Sequence, residues 1–108
     1  MYALTLRRKD AFGFTPDYEP MLAELYDLRD RLSYLEEEAR EAYRQFERDE
    51  AELYAIFAVS GDADDKRELD ALREQRIGVA NDYEAQKAPI ESRIAELERT
   101  LTAAGYSV

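Results

Sequence analysis

The chain has 108 residues and contains no cysteine, no histidine and no tryptophan, with only four glycines and three prolines. Without cysteine there is no disulfide framework and no thiolate to act as nucleophile or soft metal ligand. Without histidine the commonest general base and the commonest transition-metal ligand are both missing. No apolar run approaches the ~20 residues that a membrane-crossing helix needs, and the N-terminus lacks the apolar core of a secretory signal. A cytoplasmic protein with no membrane contact is the expectation. Gly-rich phosphate loops, metal-ligand spacings and nucleophile–base pairs are also lacking. The chain is therefore expected not to be an enzyme and to need no cofactor.

Charge is what the sequence has in abundance. Charged residues make up 37% of the chain, and the formal net charge is −10. The one basic cluster is Arg7-Arg8-Lys9; residues 1–15 carry +2, leaving −12 for the rest. Such a surface repels nucleic acid and anionic membrane, and it favours a protein partner with a basic surface. Few helix breakers, much charge and room for a single domain together fit a chain that is mostly long helix.

The organising stretch runs from Tyr18 to Ile56. At alternating steps of three and four it reads Tyr18, Met21, Leu25, Leu28, Leu32, Leu35, Ala39, Ala42, Phe46, Asp49, Leu53, Ile56, and eleven of these twelve positions are apolar. That is an a/d heptad seam, the pattern of a helix packed along its length on another helix. Thr15 and Pro16 suit the N-cap and first helical position, with Pro20 as a later alternative start. Ser60-Gly61 supplies the stop, which bounds helix one at about 16–59. Asp62 then caps a second helix at about 63–103, with Asp65 at N3 in a capping-box variant, and Gly105 ends it.

The seam of helix two is Leu69, Leu72, Arg76, Val79 or Ala80, Tyr83, Gln86 or Lys87, Ile90, Ile94, Leu97, Leu101 and Ala104. Its phase slips by one residue around Pro89, where a kink in a continuous helix is expected. A connection this short, residues 60–62, forces the helices antiparallel and sets residue i opposite about 125 − i. Asp49 and Arg76 then face each other as a seam ion pair that fixes register. The expected fold is all-α: an antiparallel two-helix coiled-coil hairpin over 16–104 with a short tail, 105–108. Residues 1–15 form a non-helical segment, either a small β-hairpin from the alternation of Tyr2, Leu4 and Leu6, or an extended arm.

Two further features bear on function. Leu22, Tyr26, Tyr43, Tyr54 and Phe57 lie off the seam at e and b positions. They are expected to be covered by the N-terminal segment or to form a partner or self-interface, and a homodimer is the reading adopted. The turn itself carries Asp62, Asp64 and Asp65. The segment Gly61-Asp62-x-x-Asp65-x-x-Glu68-Leu69-x-Ala71-x-Arg73-Glu74-Gln75 resembles the opening of the second helix in the Gre transcript-cleavage factors. Members of that family are coiled-coil hairpins whose acidic tip enters the secondary channel of bacterial RNA polymerase. The resemblance implies that Asp62 and Asp65 face a metal ion there. The same letters follow from hairpin mechanics alone: a glycine stop, an aspartate cap and an acid at N3.

Function therefore has three readings at this level. The first is a non-enzymatic protein-binding module, such as an acidic inhibitor or nucleic-acid mimic of the kind phages and mobile elements encode. The second is a Gre-like hairpin acting through its tip. The third is a structural scaffold or spacer.

Overall fold

A computed structural model describes residues 17–108, so the expected N-terminal hairpin or arm lies outside the described residues, as do Thr15 and Pro16. The described chain is two long helices, α1 (Glu19–Ser60) and α2 (Ala63–Ala103), which pack antiparallel as a rod measuring 79 × 20 × 15 Å. The radius of gyration is 23.2 Å, against ~13 Å for a compact domain of this length. This is the all-α hairpin that the heptad seam and the short connection predict.

Helix α1 starts three residues later than the Thr15-Pro16 reading placed it. Asp17 and Tyr18 are not helical, and Asp17 Oδ1 accepts the Glu19 backbone N–H at 3.0 Å. Pro20 sits in the first turn, where its missing N–H costs nothing. At the other end Gly61 adopts the left-handed conformation (φ 63°), and its N–H bonds the Phe57 carbonyl at 2.7 Å. Asp62 then caps α2, with Oδ1 accepting from the Asp64 N–H at 2.9 Å. Helix α2 runs unbroken through Pro89. Pro89 and Ala85, whose carbonyl the proline deprives of a donor, are both exposed, so solvent can serve that carbonyl.

The C-terminal tail is more than an end. Gly105 has φ 99°, the Tyr106 N–H bonds the Leu101 carbonyl at 2.9 Å, and the Gly105 N–H bonds that of Thr102 at 3.0 Å. Those two bonds define a Schellman motif, which turns the residue after the glycine back onto the helix's apolar face. Tyr106 accordingly meets Tyr18 edge to face at 5.7 Å, and the Val108 backbone oxygen accepts from Arg29 Nη2 at 2.7 Å. Beneath them Leu25, Leu28, Leu97 and Leu101 form the buried core, flanked by Tyr18, Met21, Leu22, Ile90 and Ile94.

The seam drifts toward the turn. Ile56, assigned to the seam, is 47% exposed, while its neighbour Phe57 is half-buried and Leu69 fully buried. The same one-residue drift corrects the Asp49–Arg76 pair. Asp49 accepts from the Gln45 side chain at 2.9 Å, and Arg76 reaches Glu50 at 3.4 Å and Glu47 at 4.0 Å instead. Glu50 also takes Arg73 at 2.9 Å. A straight helix drifts about 20° per heptad from a strict seven-residue repeat. From Leu28 to Ile56 that accumulates to about 80°, close to the 100° step between neighbours. On α2 the structure chooses Lys87 over Gln86 as the inward residue and half-buries both Val79 and Ala80, which absorbs the slip.

Candidate functional site

The acidic turn is a self-contained hydrogen-bonded cap. The Ser60 hydroxyl donates to Asp65 and accepts the Asp62 N–H at 3.1 Å. Asp62 spends Oδ1 on the Asp64 N–H, and Asp64 pairs with Arg67 one turn on. Each of the three carboxylates thus has a local partner, but only Asp62 is a cap; the Asp62 N–H goes to the Ser60 hydroxyl, so Asp65 does not close the reciprocal capping box its N3 position suggests. Among the described residues no three acidic side chains converge on a point that could hold a metal ion. The turn places Asp62, Asp64 and Asp65 at the far end of the rod but does not assemble them into a coordination set.

The off-seam stripe is divided by the fold. Tyr43 meets Tyr83 of α2 edge to face at 6.3 Å, so it belongs to the hairpin. Leu22 packs on the core at the open end, and Phe57 takes the inward position that Ile56 vacates. These three are e positions, and the hairpin uses a, d and e together, the wider stripe of a globular helix. Only Tyr26 and Tyr54 of the five remain on the surface, each 56% exposed and 28 residues apart. The stripe is not one continuous interface.

Tyr34 was not singled out in the sequence, because a lone aromatic at an outer c position carries no periodic signal. In the fold it is the most exposed tyrosine among the described residues and borders an open groove of about 490 Å³ between the helices, lined by Asp30, Arg31, Tyr34, Leu35, Gln86 and Ile90.

Ion pairs stitch the rest of the rod. Arg93 donates to both oxygens of Glu24 at 2.8 and 2.9 Å, a two-pronged bridge between the helices, and Arg29 reaches Glu98 at 2.8 Å. The Arg93 guanidinium holds the Glu24 carboxyl below its ordinary value, and Arg40 does the same to Glu37 one turn away. Half-buried Lys87 keeps its proton more tightly than usual because the Glu84 carboxylate lies 3.3 Å off. Beyond these pairs carboxylates are in surplus. Glu52, Glu68 and Glu74 near the turn, and Glu38 and Asp82 along the middle, form no ion pair among the described residues. No helix among the described residues is long and apolar enough to cross a membrane.

Comparison with family models, with curated proteins and with solved structures finds no match for this chain.

Proposed function

We propose that this protein is a non-enzymatic binding module: a rigid, negatively charged hairpin whose sides engage a protein partner with a basic surface. The carrying observation is the surplus of unpaired carboxylates along both helices of a rod 79 Å long. A fixed surface of one sign attracts a partner of the other, speeds the encounter and excludes anionic competitors. Rigidity adds to this, because the acids are held on helices and lose little freedom on binding. The turn supports the reading by what its acids already do: each is engaged locally by the Asp64 N–H, Arg67 or Ser60, leaving the sides as the surface on offer.

The test is affinity capture with the intact chain, beside a Glu52→Lys, Glu68→Lys, Glu74→Lys variant that reverses three unpaired charges. A basic protein held by the wild type, released by raised salt and not held by the variant is the expected result. Retention that ignores both salt and the reversed charges overturns the reading. Retention of polymerase subunits that survives the three side reversals but not Asp62→Asn with Asp65→Asn would place function at the turn instead.

A further inference from the structure

The groove beside Tyr34 has a feature that bears on what fills it. Asp30 and Arg31 are adjacent, both exposed, and neither has an ion-pair partner among the described residues, although most other arginines of the rod are paired. They are flanked by Tyr26 and Tyr34, 56% and 67% exposed. An acid and a base side by side on an outer face cannot satisfy each other in the geometry of one helix, since neighbours at i and i+1 point about 100° apart. They can be satisfied by the same pair presented in reverse.

From this self-complementarity we infer that the face from Tyr26 to Leu35 pairs two copies of the chain about a two-fold axis, with the α1 helices antiparallel. A two-fold interface is isologous: if residue i meets residue j, then j meets i. Setting Asp30 against Arg31 of the second copy automatically sets Arg31 against its Asp30, so two unpaired charges become two ion pairs. The same register places Tyr26 of each copy level with Leu35 of the other, at the groove that Leu35 and Ile90 line. It also places Tyr34 level with Asp27, a carboxylate that can accept a hydrogen bond from the tyrosine hydroxyl. Thus one alignment satisfies the charges, offers a phenol ring to an apolar groove and gives a second phenol a hydrogen-bond acceptor. A basic partner would meet Asp30 but face Arg31 with like charge, and an acidic partner the reverse. The second copy is the occupant that suits both. The alignment overlaps the chains from Asp17 to Arg44, about 40 Å of helix. Among the described residues it leaves the turn and Glu52, Glu68 and Glu74 clear, so it stands whether or not a basic partner binds there.

The register makes a charge-swap experiment decisive. The chain, with Asp30→Arg and Arg31→Asp made separately and together, is followed by sedimentation across a micromolar concentration series, with circular dichroism confirming that each variant stays helical. Wild type is expected to dimerise. Each single variant places like charges opposite one another twice, so its self-association should weaken more than about tenfold. The double variant restores opposite charges and should dimerise again. Mixing the two single variants should give a heterodimer although neither pairs well alone. Tyr34→Glu should weaken wild-type association. A wild type that stays monomeric into the high micromolar range overturns the inference. So does a mixture of single variants that behaves as the sum of its parts.

Discussion

At the open end of the rod Leu25, Leu28, Leu97 and Leu101 are sealed beneath Tyr18, Tyr106 and Val108; at the turn end Leu69 alone is buried, and Ile56 and Val59 face solvent. Covalent connection explains the contrast. At the turn the chain itself holds the helices together, and a few local hydrogen bonds among Ser60, Asp62 and Asp65 set the geometry. At the open end no such connection holds the helices together. There the structure spends its large apolar residues, a complete Schellman motif and two interhelical arginine bridges. A hairpin is thus secured by chain connectivity at one end and by apolar burial at the other.

The comparison is broken most forcefully by truncating one aliphatic side chain at each end. Leu101→Ala removes a side chain with no exposure and should cost 2–5 kcal/mol, roughly, in urea denaturation. Ile56→Ala removes a side chain of the same size from a site that is 47% exposed and should cost less than about 1 kcal/mol. Equal costs would mean that the turn end is packed as well as the open end. The glycines give the next contrast. Gly105 (φ 99°) lies farther from any conformation that a residue with a Cβ adopts than Gly61 (φ 63°) does. Gly105→Ala should cost about 2 kcal/mol and release Tyr106 from Tyr18, whereas Gly61→Ala should cost about 1 kcal/mol. Thermal midpoints, with near-ultraviolet circular dichroism reporting the tyrosines, check both.

Smaller effects sharpen the account of the turn. Asp62→Ala removes the cap oxygen and should cost about 1 kcal/mol, while Asp62→Asn keeps it and should be near neutral. If Asn proves as costly as Ala, the carboxylate's charge rather than its oxygen is what the helix start uses. In the middle of the rod a double-mutant cycle of Glu50→Ala and Arg76→Ala should show coupling of about 0.5 kcal/mol, and the matching cycle with Asp49→Ala should show none within error.

These predictions also mark what the amino-acid order reveals and what it conceals. The alternation from Tyr18 to Leu53 with Gly61 and Asp62 is enough for two antiparallel helices, because apolar spacing and turn residues are local properties. The bounds of α2 follow for the same reason. The exchange of Asp49 for Glu50, and of Ile56 for Phe57, could not be read from spacing alone: both choices fit a period between 3.5 and 3.6, and the accumulated twist decides. The outer stripe misled because e positions look exposed in a strict two-residue seam, whereas Leu22, Tyr43 and Phe57 complete a wider one. The return of Tyr106 was legible in principle, since an apolar residue directly after a C-terminal glycine is the Schellman pattern. The face holding Asp30 and Arg31 was not, because an unpaired charge is known only once its neighbours are placed.

Acid should separate the two ends through the bridge from Arg93 to Glu24. The guanidinium's two hydrogen bonds outweigh desolvation and hold the Glu24 carboxyl below its ordinary 4.5. A carboxyl whose value is lowered by folding contributes stability that is complete above its unfolded value and is lost as pH falls through its folded one. The chain as a whole responds in the opposite sense, because protonating any of its 25 carboxylates relieves the repulsion of a net charge of −10. The bridge is therefore measured as a difference between chains that share that repulsion. Urea midpoints of the wild type and Glu24→Gln, taken from pH 7 downward, should show a gap at neutral pH that narrows as pH falls below the ordinary 4.5 and closes once it has passed the lowered value. A Glu24 gap that persists unchanged into acid would mean that the side chain acts by packing, and that the open end is held by its leucines without help from the arginine.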